Sequence, residues 1–265
     1  MKSLIAKTRF ETGRDPGKVW ELYHENSKID RNRPITPNEL VVQKMMDQAD
    51  TIDYRAFATE PVATDAAAVD PALARALQGR VSGRDWALTS MTRAELDTLL
   101  HLSYGITRET DGTDLIRPAR VCPSGGAMYP LEIYLNVRNV DGLDPGLYHY
   151  NPRRNVLERL REGDPTFELS PAFVQRDVIE GAACVWLVTA LFERTTFKYG
   201  NRGYRFALIE AGHLAQNANV VATAMNIGVL NMGGFFDRDV DAFLGIDGLN
   251  HSTLYALAFG KAVTA

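Results

Sequence analysis

The chain has 265 residues, 45% of them hydrophobic, which is enough to bury a substantial core in one large domain or two small ones. Its formal net charge of -4 excludes a global positive field for nucleic acid or anionic lipid, so an anionic ligand needs a local cluster of cations. No apolar run reaches the roughly 20 residues needed to cross a bilayer, and the N-terminus lacks a signal-peptide core. The composition predicts a soluble, cytoplasmic protein with no membrane or nucleic-acid partner.

Residues 1–79 differ in composition from the rest of the chain. Prolines are scattered between polar and alanine-rich pieces, at Pro16, Pro34, Pro37, Pro61 and Pro71. Because proline interrupts helices and sheet ladders, this spacing predicts an extended arm with short helices, of the kind that commonly wraps a partner subunit. The chain therefore divides into an N-terminal arm, 1–79, and a folded domain, 80–265.

Helix signals become clear after Ser90. Thr92 and Glu95 form a T-x-x-E capping box before a leucine-rich run, and Gly105 stands where a helix C-cap belongs, which predicts a helix over 93–103. Alanines recur at intervals of three and four over 204–225, which predicts a long helix with a small-residue seam in a central or intersubunit position. Asp237 is a candidate cap for a shorter helix that follows.

Four segments carry strand patterns. Residues 131–137 alternate with period two, and 146–150 follow a turn-rich segment, so these two are predicted to be antiparallel neighbours. Residues 184–191 and 253–259 are continuous apolar runs, which suit the centre of a sheet that is covered on both faces. Because helices and strands are interleaved, the class is α+β or α/β with a mixed sheet.

Several common kinds of site are poorly supported. The chain has only two cysteines, Cys122 and Cys184, and neither these nor the five histidines have metal-ligand spacing, so we expect reduced cysteines and no metal. Dinucleotide-binding, P-loop and nucleophile-elbow motifs are absent from the sequence. His213, which shares a helix face with Glu210 and Asn217, is interpreted as a hydrogen-bonded structural residue.

Three short segments could contact a ligand. Pro123, Ser124, Gly125 and Gly126 precede the strand at 131, and such a segment lets a flat ligand approach the main chain. A second glycine pair, Gly233 and Gly234, has aromatic neighbours. Arg80, Ser82 and Arg84 place two guanidinium groups around a hydroxyl, which suits bidentate contact with a phosphate. Taken singly, each glycine pair is more often a turn than a ligand contact, and the arginines are equally consistent with a solvated helix start.

In this order, the segments resemble the SagB-type dehydrogenases, which are FMN-dependent members of the nitroreductase-like family and include the oxidases of thiazole- and oxazole-forming peptide maturation. The matching segments are 23–28, Arg80-x-Ser82-x-Arg84, 104–107, 120–134, 146–150, 198–217 and 233–235. The resemblance implies an α+β nitroreductase-like fold with a mixed central sheet flanked by helices, in a domain-entwined homodimer with FMN at the subunit interface.

The same resemblance implies roles for individual residues. Arg80, Ser82 and Arg84 would bind the phosphate and ribityl end, with Lys261 as a weaker phosphate candidate. The segment from Pro123 to Gly126 would contact the cofactor from the facing subunit, and Gly233 and Gly234 would present N–H groups near the flavin N5. Gln216 would touch the cofactor from the long helix.

Lys198 and Tyr199 are implied to be the proton-relay pair. Aromatising an azoline removes a hydride and a proton from adjacent atoms, so a positioned base must take the proton when the flavin takes the hydride. An amine serves as a base only when burial or a nearby cation favours its neutral form, and Arg194 and Arg202 are close enough in sequence to supply such a field.

The leading hypothesis is therefore an FMN enzyme that dehydrogenates an azoline or similar C–N bond in a ribosomal peptide or natural product and returns electrons to O2. Its substrate is a peptide delivered by a separate cyclodehydratase or carrier protein, or a small molecule. The alternatives are an NAD(P)H-dependent nitro or quinone reductase of the same fold and a flavin-free scaffold subunit of a maturation complex.

Overall fold

A computed structural model describes residues 18–32, 36–48, 51, 60, 62, 69–83, 90–111 and 117–261. Its strands are β1 (Met91–Thr92), β2 (Ile106–Arg108), β3 (Ala119–Arg120), β4 (Leu131–Val137), β5 (Val140–Asp141), β6 (Gly146–Asn151), β7 (Val156–Glu162), β8 (Cys184–Leu191), β9 (Gly228–Met232) and β10 (His251–Gly260). Its α-helices are α1 (Val19–Ser27), α2 (Asn38–Asp47), α3 (Pro71–Gln78), α4 (Arg93–Tyr104), α5 (Thr166–Leu169), α6 (Arg176–Gly181), α7 (Glu193–Tyr199), α8 (Asn201–Ala224) and α9 (Asp237–Leu244).

A six-stranded sheet in the order β7-β6-β4-β8-β10-β9 forms the centre of the fold. The apolar runs predicted as central strands are β8 and β10, and β4 and β6 are antiparallel neighbours as predicted. Every pairing between these six strands is antiparallel. The described central sheet is therefore antiparallel rather than mixed, and Ser82 forms an isolated parallel bridge with Val229 beside its edge.

Helices cover both faces of the sheet. Alternate residues of β8 point to opposite sides, so Trp186 joins a core with α4 and α8, whereas Leu187 joins a second core with α5, α6 and α9. The alanine seam of α8 is buried against the first face, which is why Ala207, Ala218 and Ala222 are fully covered. The α+β class is thus confirmed, and both cysteines are buried and free.

Helix α1, within the predicted arm, packs on its own chain. The Trp20 ring stacks on Tyr204 at 5.6 Å between centroids and lies 5.0 Å from Phe192. The buried His24 ring contacts the Tyr204 hydroxyl at 3.3 Å and the Gly248 carbonyl at 3.2 Å. The division of the chain at residue 79 stays a prediction.

The two predicted helix caps have different outcomes. The predicted capping box is present on α4, where the Glu95 N–H donates to the Thr92 hydroxyl, and Gly105 occupies the C-cap. The prediction that Asp237 caps the short helix is wrong, because Asp237 is the first helical residue of α9 and its carboxylate accepts the Ile29 N–H at 2.8 Å. Among the helices that the structure describes, none combines the length and apolarity needed to span a bilayer.

Candidate functional site

Lys198 and Tyr199 lie at the C-terminal end of α7, where the chain turns sharply into α8. The turn is made at Gly200, whose φ of 54° is the left-handed region that glycine tolerates best. The Tyr199 ring packs edge-on against Phe206, 5.0 Å between centroids, and the Lys198 Nζ lies 5.1 Å from the Tyr199 ring centroid. The two side chains are therefore held together, with Tyr199 half-buried and Lys198 exposed.

The predicted glycine segment lies directly against this pair. Gly126 has a φ of 65°, and a β-carbon at this position would overlap the Tyr199 hydroxyl and lie 3.1 Å from the Lys198 Nζ. A β-carbon on Gly125 would come within 3.0 Å of the Phe206 ring. The absence of side chains at both glycines thus permits the close approach of α7 and α8 to the loop.

The same loop, which we call the glycine loop (residues 123–130), is fixed by its own hydrogen bonds. The Ser124 hydroxyl accepts the Tyr129 N–H at 2.9 Å, and the Tyr129 hydroxyl accepts the Arg120 N–H at 3.0 Å. Ala127 and Tyr129 have φ values of 54° and 46°, which are costly for residues with a β-carbon. Pro123 is exposed at the start of the loop.

A buried carboxyl group lies beneath the loop. Glu210 is 2% exposed on α8, and its Oε1 accepts the Tyr104 hydroxyl at 2.7 Å, while Oε2 has no hydrogen-bond partner among the described residues. Burial raises the pKa of Glu210 to about 7, although the hydrogen bond from Tyr104 and the charge of Arg120 oppose the rise. This carboxyl is neutral for part of its population at neutral pH.

The predicted phosphate-binding residues lie at the sheet edge beside the start of β9. Ser82 bridges to Val229, the Gly83 N–H donates to the Val229 carbonyl at 3.0 Å, and Arg80 reaches the Ser82 hydroxyl at 3.5 Å. Gly260 pairs with Gly228, so Lys261 follows at the same corner, where its Nζ contacts Glu95 at 3.2 Å. Arg84 lies outside the described residues.

Gly233 and Gly234 follow the opposite end of β9. A β-carbon on Gly233 would meet no atom within 4 Å, and neither glycine N–H donates to a backbone acceptor in the part of the chain that the structure describes. The Gly234 carbonyl accepts the Val174 N–H at 2.9 Å, which anchors the segment. Gly233 therefore presents a backbone donor next to open space, whereas Gly234 lies against the Val174 side chain, 3.6 Å from the position of an added β-carbon.

The sheet register relates these two groups of residues. β4 begins at Leu131, which pairs with Ala190 near the end of β8. β9 ends at Met232, which is level with Leu187 of β8 across the intervening strand β10. The glycine loop before β4 and Gly233 after β9 therefore lie toward the same end of the sheet. Three strand spacings, about 14 Å, separate β4 from β9. One chain thus carries two separate groups: the glycine loop with Lys198 and Tyr199, and the β9 edge.

Other predicted residues occupy different surroundings. Gln216 is exposed on α8, and His213, predicted to be hydrogen-bonded, is exposed and makes no hydrogen bond with a described residue. The charge of Arg194 is partly neutralised before it can act on Lys198, because the Arg194 guanidinium forms an ion pair with Glu132. Its positive field on the amine is correspondingly weakened.

An antiparallel sheet covered by helices on both faces, with a small-residue helix beneath a glycine-rich loop, defines the class as a nitroreductase-like α+β fold. The sequence profile of the nitroreductase family matches residues 77–261, and the chain belongs to that family, whose members are generally oxidoreductases that bind a flavin. The family resemblance inferred from the sequence is therefore confirmed.

Individual relatives agree with this assignment. The protein MJ1384 of Methanocaldococcus jannaschii, named for the nitroreductases, is 38% identical over 63% of this chain and 81% of its own. The microcin B17-processing protein McbC of Escherichia coli is 32% identical over 53% of this chain, which spans 54% of McbC. The E. coli microcin synthetase McbBCD complex with truncated pro-MccB17 bound contains a similar fold, with a TM-score of 0.75 over 94% of each chain at 21% identity.

The residues present fit a flavin in two respects. The open space at Gly233, with unused N–H donors, accommodates the edge of a flat ring. The corner formed by Arg80, the Ser82 hydroxyl and Lys261, which is ion-paired with Glu95, lies about five strand residues away along β9, which suits a phosphate carried on a side chain of that ring.

Sequence reasoning missed Glu210 as a component of the site. The available signal was an acidic residue on the apolar stripe of α8, between Ala207 and Ala211. Buried carboxyl groups are rare without a partner, so such a position indicates either a hydrogen-bonding network or a functional role.

Proposed function

We propose that the protein is an FMN-dependent dehydrogenase that oxidises an azoline, thiazoline or oxazoline, or a similar C–N bond in a ribosomal peptide or natural-product intermediate. The observation that carries the proposal is the contact of Lys198 and Tyr199 with Gly126, because it joins a candidate base to a candidate cofactor-binding loop within one chain. Kinship with a microcin B17-processing protein supports a peptide-derived substrate.

Different residues of the chain carry out proton transfer, ring contact and phosphate binding in this proposal. The Lys198 amine, which is exposed in the single chain, takes the substrate proton when the facing protomer and the bound substrate cover it and favour its neutral form, and the Tyr199 hydroxyl, packed against Gly126, passes the proton on toward solvent. Gly233 and Gly234 donate N–H groups to the ring edge, Ser124, Gly125 and Gly126 border its other side, and Arg80, Ser82 and Lys261 hold the phosphate. When bound, FMN supplies the hydride-accepting chemistry, and O2 is the final electron acceptor.

Two copies of the chain complete the site in this proposal. The glycine loop and the β9 edge lie on different strands of one chain, so a homodimer brings the loop of one protomer to the β9 edge of the other. A separate cyclodehydratase or carrier protein delivers the substrate, as the similarity to a chain of the McbBCD complex suggests.

The proposal is tested by substituting the base. Lys198→Ala should keep the yellow flavin absorbance near about 450 nm but lose at least about 100-fold in oxidation of a synthetic thiazoline peptide, followed as a mass loss of about 2 Da. Lys44→Ala, an exposed lysine on α2, is the matched control. Normal turnover by Lys198→Ala would remove the base assignment.

A second measurement separates the proposal from its alternatives. The wild-type protein should oxidise the thiazoline peptide in air and should not be bleached by NADPH under argon. Rapid bleaching by NADPH, without peptide oxidation, would instead favour the nitro or quinone reductase. A colourless protein that does not bind added FMN would favour a flavin-free scaffold.

A further inference from the structure

A cavity of about 430 Å³ opens beside the glycine loop and is not used by the residues assigned above. Its charged lining consists of Arg117, Arg120, Arg153, Arg194, Glu132 and His149. We name it the arginine cavity. The whole chain is acidic, so this concentration of guanidinium groups is a local exception to its net charge of -4.

Two of the four arginines are already neutralised. Arg194 pairs with Glu132, and Arg153 contacts Glu109 at 2.7 Å. The Glu132 carboxylate is also hydrogen-bonded to His149 Nε2 at 2.7 Å. The one carboxylate in the cavity wall is therefore fully occupied.

The other two arginines have no carboxylate within ion-pair distance among the described residues. Arg117 donates to the Met128 carbonyl at 3.1 Å. Arg120 is held between two aromatic rings, 4.4 Å from the Tyr104 centroid and 4.7 Å from that of Tyr129. Stacking fixes the guanidinium plane of Arg120, and Glu210, which interacts with this charge without forming an ion pair, compensates it only in part.

From this arrangement we infer that the arginine cavity binds a carboxylate of the substrate, namely an acidic side chain of a peptide segment. Guanidinium groups pair with carboxylates in bidentate geometry. Apolar lining from Ile106 and Met128 suits the rest of a peptide.

The position of the cavity sets where the acidic residue lies in the substrate. Arg194 precedes Lys198 by one turn of α7, an axial rise of about 6 Å. Arg194 lines the same cavity as Arg117 and Arg120, so the cavity lies beside the proposed base. The inference rests on the proposed function for this placement: the acidic residue lies near the ring that is oxidised.

The test measures binding without turnover. A fluorescein-labelled octapeptide in which three aspartates alternate with glycines should bind the purified holoprotein in an anisotropy titration at low salt. Its twin with asparagines should bind at least about tenfold more weakly, because only the acidic peptide can pair with the guanidinium groups. Equal affinity for the two peptides would overturn the inference.

Variants locate the binding. Arg117→Gln, at an exposed side chain that folding does not require, should weaken the acidic peptide about fivefold, and Arg117→Gln with Arg120→Gln should weaken it further. Arg176→Gln with Arg238→Gln removes two exposed arginines elsewhere and should leave affinity unchanged. Wild-type affinity in the Arg117 variants would contradict the assignment.

A competition experiment with NADPH tests whether the arginine cavity binds a nucleotide phosphate instead of a peptide carboxylate. Displacement of the acidic peptide by an equal concentration of NADPH would assign the cavity to a nucleotide phosphate and overturn the inference. Because the assay needs no oxidation, acidic-peptide binding with no thiazoline oxidation would reject the proposed function alone. Thiazoline oxidation without selective acidic-peptide binding would reject this inference alone.

Discussion

At the scale of single residues, Glu210 shows how burial changes a side chain's chemistry. It lies on the buried face of α8, where its carboxyl accepts one hydrogen bond from Tyr104 and keeps a second oxygen unpaired. Its pKa is raised from 4.5 to about 7, mainly by burial. Burial destabilises the ionised carboxylate and not the neutral carboxyl, so the resulting loss of folding stability appears as pH rises.

Glu210→Gln should therefore stabilise the protein increasingly with pH. In the wild type the unfolded carboxyl ionises near pH 4.5 while the folded one stays protonated to about pH 7, so stability is full below pH 4.5 and falls by about 3 kcal/mol by pH 8. The amide keeps the acceptor for Tyr104 and cannot ionise. Urea unfolding at pH 4.5 and pH 8 measures the change, with Glu162→Gln on exposed β7 as control; a constant difference between Glu210→Gln and wild type would contradict it.

A second residue-scale prediction concerns the loop's packing. Gly126→Ala should destabilise the protein by about 1 kcal/mol for its positive φ and by a further 1 kcal/mol or more for the overlap with Tyr199. Gly163→Ala is a matched control, since its φ is 80° and nothing lies within 4 Å of the new β-carbon. Adding Tyr199→Phe should recover the excess cost in thermal unfolding. Equal destabilisation by the two alanine variants would show that the Tyr199 side chain moves aside without an energetic cost.

At the scale of elements, the helices and strands predicted correctly were those set by residues that are neighbours in the sequence. The capping box placed α4, and continuous apolar runs placed β8 and β10. Helix α7 was not predicted because Thr195, Thr196 and Phe197 favour strands, whereas the turn at Gly200 and packing on α8 hold them in a helix. α8 begins at Asn201, three residues before the predicted start at 204, because Gly200 ends one helix and caps the start of the next.

The site was harder to predict because its contacts join distant segments. The contact between Gly126 and the Lys198–Tyr199 pair spans more than seventy positions, and the network of Glu132, His149 and Glu158 crosses three strands. Motif order could name the members of the site. Only the sheet register could show that Lys198 and Tyr199 share one group with the glycine loop while Gly233 belongs to another.

Helix α1 provides a prediction at this scale. Trp20→Ala removes the ring that stacks on Tyr204 and Phe192 and should weaken docking of α1 by about 3 kcal/mol. Hydrogen exchange over Val19–Ser27 should accelerate, whereas Val19→Ala, a half-exposed neighbour, should change it little. Unchanged protection of α1 in Trp20→Ala would mean that His24 and its two hydrogen bonds suffice to hold the helix.

At the scale of the whole molecule, the division into two groups is the feature on which the proposed homodimer rests. Lys198 lies with the glycine loop, and Gly233 lies at the β9 edge three strands away. If one flavin needs both, each chain gives one group to each of two sites. Lesions in the two groups should then complement each other across a dimer.

Mixing two inactive variants tests this division. Gly233→Leu should fold normally, because Gly233 is exposed and a β-carbon there meets no atom within 4 Å, but should block the flavin; Lys198→Ala should bind flavin without turnover. In heterodimers of the two, one site carries both lesions and the other carries none, so an equal co-refolded mixture should regain about a quarter of wild-type thiazoline oxidation. Each variant refolded alone is the control. If both groups served a flavin within one chain, every heterodimer site would carry a lesion, and the mixture would stay as inactive as its parents.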